Sequence, residues 1–274
     1  MITEQDFAAI DKDVQDSLNA AFDYIRQHHP SDYVLLLADG EFKEEYLHTT
    51  PKYEPYVIDS REDFYIDETR VKFFVEFLKT FYTFPKGGTG RVEDSDIRQQ
   101  MELMIYTHVW EAKPFLKRMY RMALLCNDGI YEWNVTVPPM GKHEFIRNEI
   151  RQRFENKGLN LFQVMKNGYH SSLRNAFAHS EYSFDEKERL IWLHNYSGTA
   201  WELKNISYDD WSRRFAYSVL LAYHLINITH DRRSKVAQDF GTDVFQINHP
   251  RGDGSILPVN IQYREQHNAF GFVS

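Results

Sequence analysis

The residues with the most chemical potential lie in one run, Ser171-Ser172-Leu173-Arg174-Asn175-Ala176-Phe177-Ala178-His179-Ser180-Glu181-Tyr182. A histidine titrates near neutral pH and can act as general acid or base, while a guanidinium is a fixed cation whose planar donors fit phosphate oxygens. Arg174 and His179 together supply what metal-independent RNA cleavage needs: a group to move the proton of a 2′-hydroxyl and a charge facing the phosphorane. The spacing alone is weak evidence, because 18 arginines and 12 histidines in 274 positions give about 0.8 matches by chance. Arg189 and His194 repeat it, but inside an alternating, strand-like pattern, where an odd offset puts the two side chains on opposite faces.

On a helix, at about 100° per residue, Tyr169, Leu173, Ala176 and Phe177 share one sector and form a buried stripe. Asn175 and His179, at i and i+4, point away from it. Arg174 lies about 140° from His179 around the axis, so only its long side chain can bring the guanidinium toward the imidazole. A polar pair opposite an apolar stripe describes a surface or interface site. The plainer alternative is an exposed polar face with His179 capping the helix C-terminus, which the dipole favours.

Other catalytic signatures are missing: the sequence contains no H-E-x-x-H, no Gly-x-Ser-x-Gly, no Cys-x-x-Cys and no G-x-G-x-x-G after a strand. An acid two positions before a lysine occurs at Glu41-Phe42-Lys43, Glu111-Ala112-Lys113 and Glu202-Leu203-Lys204, with Asp39 beside the first. Such a pair plus an upstream acid is what a PD-(D/E)xK nuclease uses to hold Mg²⁺. Recurring in unlike contexts, the pattern reads as coincidence. The adjacent His28-His29 lacks a third ligand at a metal-binding spacing and reads as a helix end. We expect no cofactor.

The elements that position the run follow from periodicity and punctuation. Thr3 caps an amphipathic helix through Phe7, Ile10, Val14, Leu18, Phe22 and Ile25 to His28. Tyr33 to Leu37 fits a short strand or a buried helical turn, and the rest of 31–65 carries no clear assignment. A second, aromatic-rich helix is expected from about Asp67 to Thr83, stopping at Pro85-Lys86-Gly87-Gly88-Thr89-Gly90. That cluster neither follows a strand nor ends as a P-loop does, and it reads as a linker. Ser95 caps a long helix to about Cys126, kinked at Pro114; further helices cover Lys142 to Asn156, ended by Gly158, then Asn160 to about Lys166, and Tyr169 to about His179. Arg189 to His194 and Ala200 to Leu203, flanking Asn195-Tyr196-Ser197-Gly198, read as a β-hairpin. Ser207 caps a last long helix to about Asp239, and short β-like runs follow around Phe245 and Ile261.

Apolar residues at 42% and charged residues at 26% exclude collagen-like and wholly disordered chains. No apolar run is long enough to span a membrane, and Met1 to Asp6 lacks signal-peptide features, so a cytoplasmic location is expected. The lone Cys126 fits a reducing compartment. The net charge of −8 conceals an uneven distribution: residues 1–70 carry −11 and residues 113–179 carry +6. We therefore expect three parts: an acidic, mostly helical accessory region (1–92) that screens the basic segment, a helical domain (93–240), and an irregular or β tail (241–274).

Arg174-Asn175-Ala176-Phe177-Ala178-His179, an arginine followed by a polar residue and closing with histidine at a helix end, resembles the signature of the HEPN superfamily, the higher eukaryote and prokaryote nucleotide-binding domains. The similarity runs from about Ser95 to Asp239, with helices before the motif, a hairpin after it and a closing helix. The resemblance implies a mainly α fold, an α-helical bundle that is usually a homodimer, in which two motifs meet to form a metal-independent endoribonuclease site. Members act in toxin–antitoxin, abortive-infection and antiviral systems, so RNA and an antitoxin or defence-system protein are the implied partners. Arg174 and His179 match the catalytic pair and Asn175 the polar position. Arg151 and Lys166, in the basic segment, and Tyr182 are candidates for RNA contact. Some toxin members place a modifiable tyrosine after one residue intervening beyond the histidine; here two residues, Ser180 and Glu181, intervene before Tyr182. A second class of function uses the same face without catalysis, binding nucleic acid, a nucleotide or a protein.

Overall fold

The computed structural model describes residues 1–48, 55–59, 61–84 and 90–273, with only the backbone described at 47, 48 and 61–65. It is mainly helical, with small antiparallel sheets. The expected linker at Pro85 to Gly90 falls, except for Gly90, outside the described residues.

Helix α1 (Glu4–His28) opens where the capping pattern places it, with Thr3 Oγ1 accepting from Asp6 N at 3.1 Å. Tyr33 to Leu37 belongs to a buried helix, α2 (Pro30–Leu37), rather than to a strand. Pro30 occupies its first turn, where a missing N–H costs nothing. Short strands β1 (Glu41–Phe42) and β2 (Tyr56–Val57) pair antiparallel, and α3 (Arg61–Phe81) begins six residues before the expected Asp67. Ser95 caps α4 (Asp96–Glu111).

The single kinked helix expected from Ser95 to Cys126 is two helices, α4 and α5 (Lys113–Cys126), divided by Ala112 in extended conformation (φ −68°, ψ 106°). Proline cannot donate to the preceding turn, and a break at Ala112 moves Pro114 into the first turn of a new helix. This break ends α4 at Glu111. Residues 142–157 form one rod made of α6 (Lys142–Glu144), a π-helical turn (Phe145–Arg151) and α7 (Gln152–Lys157), closed by Gly158 at φ 74°. Two short helices follow, α8 (Leu161–Gly168) and α9 (Ser171–Ala178). At the expected cap of α8, the Asn160 side chain instead donates to Asp13 and Ser17 of α1.

The expected hairpin partner was wrong. Strand β4 (Leu190–Leu193) pairs with β3 (Tyr182–Asp185) and β5 (Asn205–Ser207), not with Ala200 to Leu203. Packing decides the register: Tyr182 faces Leu193 and Phe184 faces Ile191 across the ladder. By contrast Trp201 is 61% exposed, and Glu202 folds back to accept from Ser197 N at 2.7 Å. Ser207 then caps α10 (Tyr208–Phe240), accepting from Asp210 N at 3.0 Å, and Gly241 ends it at φ 66°. The tail forms a three-stranded antiparallel sheet, β6 (Val244–Pro250), β7 (Ile256–Arg264) and β8 (Ala269–Phe272).

Helix α10 is the axis of the fold. It packs along α1 and against α8, α4, α2 and α3, and one hydrophobic core runs from Met1 and Ile2 to Phe270. Among the described residues no helix is long and apolar enough to cross a membrane.

Candidate functional site

Helix α9 is anchored from its first residue. His170, extended at φ −145°, is its N-cap, and its Nδ1 accepts from Ser172 N at 3.2 Å. The Tyr106 hydroxyl of α4 accepts from His170 N at 2.9 Å and donates to His170 O at 3.3 Å. The buried face consists of Ser172, Leu173, Ala176 and Phe177, as the expected stripe requires apart from Tyr169. That residue precedes the helix and is buried against Trp110, with ring centroids 4.9 Å apart. Phe177 meets Tyr106, Trp211 and Tyr182 edge-on at 5.9, 5.1 and 5.3 Å. Beneath them the fully buried Glu102 accepts from Trp211 Nε1 at 2.8 Å and from the Tyr82 hydroxyl and Arg98 Nε at 2.9 Å each. Burial pushes the Glu102 carboxyl up against the opposing pull of Arg98. The motif helix therefore rests on a rigid aromatic layer with an ionic network below it.

Arg174 reaches sideways to α4. Its Nε and Nη2 bond Glu111, and Nη1 donates to Asn175 Oδ1 at 2.9 Å. Glu111 also receives Lys142. Burial opposes the charge on Glu111, but the hydrogen bonds from Lys142 and Arg174 outweigh it and hold the carboxyl below the usual carboxylate range. A guanidinium has five N–H donors, so these three contacts leave one on Nη1 and one on Nη2 unpaired among the described residues. Glu111 thus fixes the plane of the guanidinium and leaves its outer edge open to an anion.

At the other end His179 is exposed, and its ring makes no hydrogen bond among the described residues. Its backbone N–H caps α9 by donating to Asn175 O at 3.1 Å. Ser180, at φ 58°, turns the chain so that Glu181 N reaches Ala176 O at 2.8 Å. Tyr182 follows at the start of β3. Its hydroxyl donates to Gln100 Oε1 at 2.6 Å, its ring packs on Phe177 and Phe184, and burial raises its pKa. The remaining candidates lie elsewhere. Lys166 is exposed on α8, and Arg151 ends the π-helical turn, half-buried, on the His170 side of the motif.

Four neighbours escaped the sequence reading. Glu111 occurs in the Glu-Ala-Lys triplet set aside as coincidence, and Lys142 and Arg214, the latter donating to Tyr169 O at 3.2 Å, carry no spacing signal because tertiary packing alone brings them here. His170 had a local signal, a polar residue directly before the Ser-Ser that opens a helix. The second Arg-His pair is split: Arg189 bonds Asp94 and Asp209, whereas His194 bonds Ser183 at 2.9 Å. His28 stacks on Tyr24 and His29 faces Asp128 at 3.3 Å. Asp39 is held by Arg118 and Arg121, and Glu41 by Lys43 and Lys117. Among the described residues no group of three or more His, Cys, Asp or Glu is placed to hold a metal ion. Set against protein-family models, curated proteins and solved structures, the chain matches none.

Proposed function

We propose that the chain is a metal-independent endoribonuclease of the HEPN type, a toxin or antiviral-defence effector acting on RNA as a homodimer. The observation that carries this reading is the motif helix itself: an exposed, unbonded imidazole at its C-terminus and an oriented guanidinium with two open donors on its flank. His179 would move the proton of the attacking 2′-hydroxyl or of the leaving oxygen, and Arg174 would face the charge that develops on the phosphorane. Asn175 holds Arg174 in place and Glu111 sets its plane. His179 stands exposed on one copy, and a two-fold axis beside the motif helix would enclose the site and exclude water. Ile97 and Met104, 71% and 64% exposed on the outer face of α4, add an apolar surface for a second copy.

The second reading, a non-catalytic binding module, draws on the pairing of Arg174 with Glu111, which partly satisfies the cation. Incubating the purified protein with mixed RNA, with and without chelator, separates the two. The ribonuclease reading predicts chelator-resistant cleavage leaving 2′,3′-cyclic phosphate ends. Chelator-sensitive cleavage would contradict it, and RNA binding without cleavage would establish the module. Light scattering tests the dimer, and a monomer at micromolar concentration would exclude it.

A further inference from the structure

On the far side of the motif from His179, the charges of Arg214 and Arg151 bear on one histidine, His170, while Asp210 and Glu155 oppose them from a distance without forming an ion pair among the described residues. Arg214 of α10 donates from Nη1 to Lys166 O and Tyr169 O, both at 3.2 Å, and its Nε is buried with no hydrogen-bond partner among the described residues. Arg151 is half-buried. Among the described residues neither arginine forms an ion pair, although Arg153, Arg174, Arg189 and Arg213 nearby in sequence all do. His170 Nδ1 is occupied as an acceptor from Ser172 N, so its ring proton is on Nε2, which is a donor. Burial first, then the charges of Arg214 and Arg151, lowers the His170 pKa to about 4. The imidazole is therefore a neutral donor at pH 7. A half-buried group of donors whose two positive charges are opposed only by Asp210 and Glu155, carboxylates with which they form no ion pair among the described residues, is incompletely balanced, and an anion completes it.

We propose that Arg151, Arg214 and His170 form a phosphate subsite one helical turn from Arg174, binding the backbone phosphate next to the one at the motif. His170 and Arg174, at i and i+4, lie on one side of α9 and about 5–6 Å apart along it, so a single strand lying along the helix reaches both. The inference rests on the ribonuclease reading only in naming RNA as the source of the phosphate.

The test is anisotropy titration of a fluorescein-labelled 2′-O-methyl RNA oligonucleotide, which cannot be cleaved, over a series of salt concentrations. Arg151→Gln should weaken binding about tenfold and reduce the salt slope by about 0.7, the loss of one single-strand phosphate contact. Arg151→Lys should restore most of the affinity. Arg213→Gln, which removes a charge paired with Asp6 at 3.0 Å, is the control. An unchanged affinity and slope for Arg151→Gln, or a loss equal to that of Arg213→Gln, would overturn the proposal. Adenosine monophosphate titrated in parallel separates a backbone phosphate from a free nucleotide: mononucleotide binding lost in Arg151→Gln while oligonucleotide binding persists would also overturn it. If wild-type protein leaves unmodified RNA intact while Arg151 controls oligonucleotide affinity, the subsite stands and the ribonuclease reading falls.

Discussion

Replacing His170 by asparagine keeps an N-cap acceptor for α9 and removes a titrating group, which makes the residue's electrostatic environment measurable. The native ring titrates at about 4, against 6.5 for an ordinary histidine. The unfolded chain therefore binds a proton between these values that the folded chain refuses. The stability contribution of the neutral ring is full above about pH 6.5 and is lost as pH falls toward 4. At about 1.4 kcal/mol per pH unit the whole difference would reach about 3.4 kcal/mol, and solvent screening of a half-buried ring lowers that to about 2 kcal/mol. Urea unfolding of wild type and His170→Asn at pH 7 and at pH 4.5 reads the effect as a difference of differences, because the carboxylates titrate alike in both. The wild type should lose more stability than the variant by most of that amount. An equal loss in the two proteins would refute the claim that burial, with the charges of Arg214 and Arg151, lowers the pKa of this ring.

Three further outcomes follow from contacts already described. Glu111→Gln should remove up to about 1 kcal/mol of stability at pH 7; since Lys142 and Arg174 hold the native carboxyl below the ordinary glutamate range, that difference should fade as pH drops through the native value, as acid-unfolding curves would show. Glu102→Ala leaves Arg98 buried without its partner and should cost about 3–5 kcal/mol by chemical denaturation. Gly168→Ala places a methyl 3.2 Å from Ser218 Oγ and 3.3 Å from Trp110 Cζ2, a crowding that should lower stability by about 1–3 kcal/mol.

Periodicity and capping made most helices legible, because Thr3, Ser95 and Ser207 each cap the helix they announce and Gly158 and Gly241 each end one. Three features were less accessible. The division at Ala112 depends on where a proline finds its first turn, and both sides of the break are apolar and helical in pattern. The partner of β4 is chosen by which aromatic residues can be buried, and local alternation favours Ala200 to Leu203 equally well. Around the motif, the helix and its stripe were readable from residue types, whereas the carboxylate that orients Arg174 lies 63 positions away in the chain. Long-range ion pairs leave no periodic trace, so the residues of the motif could be named and most of their supports could not.

Single-turnover RNA cleavage by His179→Ala, beside wild type and the control His194→Ala, tests the central claim most directly, because His194 repeats the arginine spacing but is bonded to Ser183. The account predicts a rate about 10²-fold or more lower for His179→Ala, unchanged RNA affinity, and full activity for His194→Ala. Cleavage by His179→Ala at the wild-type rate would contradict it.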